Sequence, residues 1–80
     1  MHEMHLLKDL FADLLKHAKA QNARKVSRVY IRMGEYTEIN PEILRFFLAE
    51  QSKGTIIEGA EITIDKSPTR ELRLVSFDCE

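Results

Sequence analysis

The first three residues, Met1-His2-Glu3, gather a terminal amine, an imidazole and a carboxylate at the head of the chain. Initiator methionine is trimmed when the second residue is small. His2 is large, so Met1 is expected to stay, with its amine beside the imidazole. Together with neighbouring backbone amide nitrogens these groups form a compact nitrogen donor set. Tetragonal or square-planar nitrogen fields suit Ni(II) or Cu(II). The expectation is a metal ion held at this end, with the rest of the chain as a platform. Taken alone the triplet is also an ordinary chain start, so its meaning depends on the residues after it. His5 lies three residues beyond His2 and would share a helix face with it, which makes it a candidate extra ligand. A solvated first-turn residue is the preferred reading of His5. His17 stands four residues after Asp13 and reads as a surface residue near a helix C-terminus, where positive charge is favourable.

Eighty residues make one domain, 1–80. A chain of this size buries only about 60–65% of its unfolded surface, close to the lower limit for a self-sufficient core. With 44% hydrophobic and 31% charged residues it is globular rather than disordered. A formal net charge of -1 gives no basic stripe for nucleic acid. No apolar run is long enough to span a bilayer, and no basic region followed by an apolar stretch marks a secretory signal. One cysteine, Cys79, excludes an intramolecular disulfide and a cysteine-based zinc site. These features point to a soluble cytoplasmic domain.

The elements that would carry the N-terminus come in sequence order. Residues 4–20 read as an amphipathic helix, with Leu7, Leu10, Phe11, Leu14 and Ala18 at helical spacing and Leu6 and Leu15 widening the stripe. Asn22 is the expected left-handed stop. Residues 25–33 alternate as a strand, with Val29, Ile31 and Met33 facing the helices and Arg28, Tyr30 and Arg32 on a wetter face. Asn40-Pro41-Glu42 is a helix start. Ile43, Leu44, Phe47, Leu48 and Gln51 follow at helical spacing, and Lys53-Gly54 ends the helix. Residues 60–66 form a second strand with Ile62 and Ile64 inward, Ser67-Pro68-Thr69-Arg70 a turn, and 71–78 a third strand in which Leu72 and Leu74 oppose Arg73, Val75 and Phe77. The prediction is an α+β fold, two helices packed on one face of a three-stranded mixed sheet, in the order α-β-α-β-β. The strand–helix–strand unit makes the first two strands parallel. The last two are expected to form an antiparallel hairpin, with the third strand central or at an edge.

Four separated segments resemble one family. Met1-His2-Glu3-Met4 is its hallmark start, and Val29-Tyr30-Ile31-Arg32-Met33-Gly34-Glu35 resembles its first strand, which ends in Gly-Glu. Pro41-Glu42-Ile43-Leu44-Arg45-Phe46 resembles its second helix. Lys53-Gly54-Thr55-Ile56-Ile57-Glu58-Gly59-Ala60 resembles its approach to the second strand. The family is HypA/HybF, nickel-incorporation accessory proteins of nickel–iron hydrogenases, some of which also serve urease. The resemblance implies a nickel metallochaperone. Nickel would be held by the His2 imidazole with backbone nitrogens of the first residues, including the Met1 amine, and Glu3 would tune the site or assist docking. It also implies two partners, a nickel-handling maturation GTPase and the hydrogenase large subunit. Family members carry a zinc module with two Cys-x-x-Cys pairs between the second and third strands. Here only Ser67-Pro68-Thr69-Arg70 stands there, so no zinc is expected. The chain is either a natural zinc-less member or one from which the module has been removed.

The rival reading is a metal-free interaction module that keeps the fold and docks the GTPase or a hydrogenase subunit. An enzyme is not expected, because no Ser/His/Asp or Cys/His constellation and no phosphate-cradling glycine loop is present. An open sheet edge invites pairing or strand exchange, so monomer and homodimer both stay open.

Overall fold

The computed structural model describes residues 2–35 and 39–80, with the side chains of α1 from His5 onward. The first helix, α1, spans His2–Ala20. Leu7, Leu10, Leu14 and Ala18 are buried along it, and Phe11 and Leu15 pack partly against the same core. The helix stops where expected. Asn22 takes a left-handed φ of 57°, the Ala23 N–H donates to the Ala18 carbonyl at 3.1 Å, and the Asn22 N–H donates to Lys19 at 3.0 Å. That bond pair is a Schellman motif, which satisfies carbonyls the helix end would leave open. The second helix, α2, spans Pro41–Ser52. The Asn40 side chain caps it by accepting from the Glu42 N–H at 2.7 Å. Its buried residues are Leu44, Phe47, Leu48 and Ser52. Ile43 and Gln51, expected on that stripe, are exposed, because the inward face is rotated about one position further along the helix.

The three strands are β1 (Val26–Gly34), β2 (Glu61–Ser67) and β3 (Leu72–Cys79). Their spatial order is β2-β1-β3. β1 pairs with β2 in parallel, with Val29 beside Ile62 and Ile31 beside Ile64, as the intervening helix requires. The expected hairpin between β2 and β3 is not formed. β3 lies on the other side of β1 and pairs with it antiparallel, with Val29 opposite Phe77 and Met33 opposite Leu72. The third strand is therefore an edge. The connection after Ser67 bridges two strand spacings, roughly 9–10 Å, rather than the single spacing of a hairpin.

The inward face of β3 also departs from strict alternation. Its register against β1 shifts between Tyr30 and Ile31, which leaves Val75 as an extra residue on β3. The bulge turns Val75 outward, 47% exposed, and returns Phe77 to the face of Leu72 and Leu74 against the core. Phe77 was expected outside. The pattern could not reveal this, since an inserted residue inverts every position after it.

Both flanks of β1 close over a glycine. The Gly34 N–H donates to the Glu71 carbonyl, and the Glu35 N–H donates to the Ser67 carbonyl, both at 2.7 Å. The crossing segment lies so close that a Cβ on Gly34 would overlap the Thr69 carbonyl. Gly34 is thus required by close approach, whereas Gly54, at a φ of 78°, serves a left-handed turn.

Two mutational comparisons test this arrangement by urea unfolding. Phe77→Ala should cost about 2 kcal/mol or more, while Val75→Ala should stay within about 0.5 kcal/mol. Equal effects would mean that the bulge is misplaced. Gly34→Ala should cost about 2 kcal/mol or more, against about 1 kcal/mol for Gly54→Ala; a fully stable Gly34→Ala protein would show that the crossing segment does not rest there.

Candidate metal site

α1 is laid along β3. Leu6, Asp9 and Leu10 line one groove with Leu72, Arg73 and Leu74, and His17 and Gln21 line its continuation with Val75, Ser76 and Phe77. Helix and strand therefore run in the same direction, and the head of α1 sits at the end of the sheet where β3 begins. β1 and β2 finish at that same end, at Gly34 and Ser67, and α2 starts near it, since Pro41 and Ile39 share a shallow cleft with Met33, Gly34 and Lys66. Two helix N-termini, two strand C-termini and the crossing segment converge there. In sheets built from strand–helix–strand units, the carboxyl ends of the strands are the ends that receive ligands.

Of the three residues expected to hold metal, His2 and Glu3 form the first turn of α1 by their backbone, and their side chains lie outside the described part. Met1 lies outside the described residues. The helical start bears on whether these residues suit a nitrogen-bound ion. The first four N–H groups of a helix have no intrahelical acceptor. The amide nitrogens of His2 and Glu3 are therefore uncommitted to the helix ladder, as a donor set drawn from backbone amides requires. The positive end of the helix dipole opposes a bare cation, but deprotonated amides and a first-turn carboxylate offset that field.

The other candidate groups do not assemble around that end. His5 sits on α1 with its Nε2 3.5 Å from Asp9 Oδ2, and both side chains are largely exposed. His17 lies in the last turn, three turns below. Cys79 is free and exposed, pairs with Val26 at the opposite end of the sheet, and has its Sγ 3.9 Å from Gln21 Oε1. Among the described residues no group of three or more His, Cys, Asp or Glu side chains could hold a metal ion. None of the described helices is long and apolar enough to cross a membrane.

The sheet face away from the helices carries a different chemistry. Arg28 Nη2 reaches Glu61 Oε2 at 3.2 Å, Arg32 Nε reaches Asp65 Oδ2 at 3.3 Å, and the Tyr30 hydroxyl donates to Asp78 Oδ2 at 3.1 Å. The hydrogen bond to Tyr30, and then the Glu61 carboxylate, push the Arg28 pKa further above its ordinary value. The two arginine pairs follow the β1–β2 register and set Arg28 and Arg32 each against an acid, so the charges there largely offset one another. Sequence reasoning did not find the groove residues Leu6, Asp9, Asp13, Leu72 and Leu74 as a set. Only the placement of β3 beside α1 brings them together.

Three comparisons bear on identity. The family model for HypA, described as hydrogenase/urease nickel incorporation and metallochaperone, matches residues 1–79. The hydrogenase maturation factor HypA of Archaeoglobus fulgidus is 40% identical over 72 residues, 88% of this chain and 66% of that protein. The HypA of Pyrococcus horikoshii is 39% identical over 66 residues, 82% of this chain and 48% of that protein. The chain thus spans about half to two thirds of the length of these curated relatives. The solution structure of the nickel metallochaperone HypA from Helicobacter pylori superposes with a TM-score of 0.73 at 15% identity, covering 94% of each chain, which is a likeness of fold. By the extent of the family match and the identity to these relatives, the chain belongs to the HypA family.

Proposed function

We propose that this chain is a nickel carrier for the maturation of nickel–iron hydrogenase, and of urease in cells that make it. The observation that carries this reading is the HypA family match over residues 1–79, with His2 and Glu3 at the head of α1. The ion is cargo. It is gripped by the Met1 amine, the His2 imidazole and backbone nitrogens of the first residues, with Glu3 tuning the charge or aiding docking. A planar chelate of consecutive backbone nitrogens needs a flatter backbone than the helical ψ of about −42°, so loading opens the first turn of α1. A helix end favours such a change, because its first N–H groups have no ladder partner and only the one or two carbonyl bonds of the opened turn are lost. The buried stripe of Leu7, Leu10, Leu14 and Ala18 holds the remainder of the helix still. Release is ligand exchange to a partner. We place that partner among the maturation GTPases, with the hydrogenase large subunit as final recipient and the cytoplasm as the place of work.

We further propose that the family's zinc module is missing between β2 and β3. What supports this is the short crossing segment after Ser67, which leads directly from β2 to β3. The nickel end and the crossing segment share one end of the sheet, so a module inserted there in longer relatives would stand beside the metal.

Calorimetric Ni(II) titration of the untagged chain beginning at Met1 is the test. Tight binding is expected, and both His2→Ala and residues added ahead of Met1 should abolish it. His5→Ala should change affinity by less than about twofold, as expected for an exposed His–Asp pair at i, i+4. Retention of tight binding by either of the first two proteins would place the metal elsewhere. Absence of binding by the unaltered chain at mildly alkaline pH would leave only the metal-free docking module. Binding needs a neutral imidazole and a deprotonated amine, with ordinary pKa values of about 6.5 and about 7.7–8.0. Affinity should accordingly rise with pH across that window and fall steeply below about pH 6.5, read from the same titration repeated between mildly acidic and mildly alkaline buffers.

A further inference from the structure

We propose that the groove between α1 and the free edge of β3 receives an extended, basic peptide segment of a partner protein as a fourth strand. Among the described residues β3 is an edge, paired with β1 alone. The Glu71 carbonyl points at β1, where it accepts from the Gly34 N–H at 2.7 Å. Alternation along an antiparallel strand then turns the N–H and C=O groups of Leu72 and Leu74 to the open side. The bulge at Val75 breaks the alternation and ends the pairing surface there. The stretch offered is therefore short, from Leu72 to Leu74. Unpaired groups of this kind are a template for an added strand.

The wall opposite the edge is one flank of α1, with Leu6, Asp9, Leu10 and Asp13 lining the groove. Leu6 is 49% exposed, a large apolar side chain that an added strand would cover. Asp9 and Asp13 set the charge of the guest. Among the described residues Asp9 pairs with His5 at 3.5 Å and Asp13 makes no ion pair, and His17 lines the same groove one turn beyond Asp13. Arg73 also lines the groove, but its Nε is directed at Glu71 Oε1, 3.4 Å away. A guest with an apolar side chain over Leu6 and Leu10 and lysine or arginine beside Asp9 and Asp13 complements this wall. A second copy of the chain does not, since it would bring another acidic flank against the first. The other sheet edge is already engaged, because the Arg45 guanidinium donates to the Ile62 carbonyl on β2.

The test uses the full chain, uniformly labelled and free of nickel, so its outcome is independent of the metal reading. The probe is the capped hexapeptide Val-Thr-Lys-Thr-Lys-Thr, with Val-Thr-Glu-Thr-Glu-Thr as control, followed by amide NMR shifts and hydrogen exchange. The lysine peptide should move the signals of Leu72, Arg73, Leu74, Asp9 and Asp13 and slow exchange at Leu72 and Leu74. The glutamate peptide should bind at least about fivefold more weakly, and Asp9→Asn with Asp13→Asn should erase that difference. Both positions are exposed, so the doubly substituted chain should keep its fold, with spectral changes confined to their neighbours on α1. No response, equal binding of both peptides, shifts centred on β2 or on Ile43 and Phe46, or a concentration-dependent dimer joined through β3 would each overturn the proposal.

Discussion

The fold depends on one constraint: β1 must be paired on both sides by strands that come from the same downstream segment. β2 approaches through α2 and lies parallel, and β3 must then reach the opposite flank. The chain can do this only by crossing the end of β1, and it crosses over Gly34. With β1 central, its inward residues Val29, Ile31 and Met33 become the floor of the core, each no more than 2% exposed. α1 lies over the β3 side and α2 over the β2 side. Burial of this kind contributes about 1.5–3 kcal/mol per large apolar side chain, and a chain of 80 residues has few such residues to lose.

That crossing also decides where chemistry can occur. Placing β3 beside α1 puts the helix head, the strand carboxyl ends and the crossing segment at a single end of the sheet. The chain's start adjoins a helix whose inner stripe is buried and whose first-turn N–H groups have no partner in its own ladder. Grip and surrender of a metal ion need both properties: a rigid rod to present the donors, and a terminus that can change shape without disturbing the core. The outer face of the sheet has a separate role. Its cross-strand pairs, Arg28 with Glu61 and Arg32 with Asp65, match acid to base in the observed parallel register, so a slipped register would lose these pairs.

Much of this architecture was legible in the residues themselves. Although α1 begins at His2 rather than at residue 4, the Asn40 cap, the Asn22 stop and the inward face of β1 are local properties. They arise from backbone preferences and a period of 3.6 or 2, which a short window of sequence contains. The candidate metal residues are likewise named from adjacent residues, a terminal amine beside an imidazole.

Local residue order thus specifies each element and the apolar faces of α1 and β1, and it names Met1, His2 and Glu3 as a candidate donor set. Three features arise only in the folded chain: β3 pairs with β1 rather than with β2, Val75 bulges so that Phe77 turns inward, and Gly34 becomes a crossing point. The physical reason is that strand neighbours are chosen by long-range competition for backbone hydrogen bonds and buried area. Both arrangements of β3 present the same local pattern, and in the one formed β1 is central and the inner faces of all three strands pack on the core shared with the two helices.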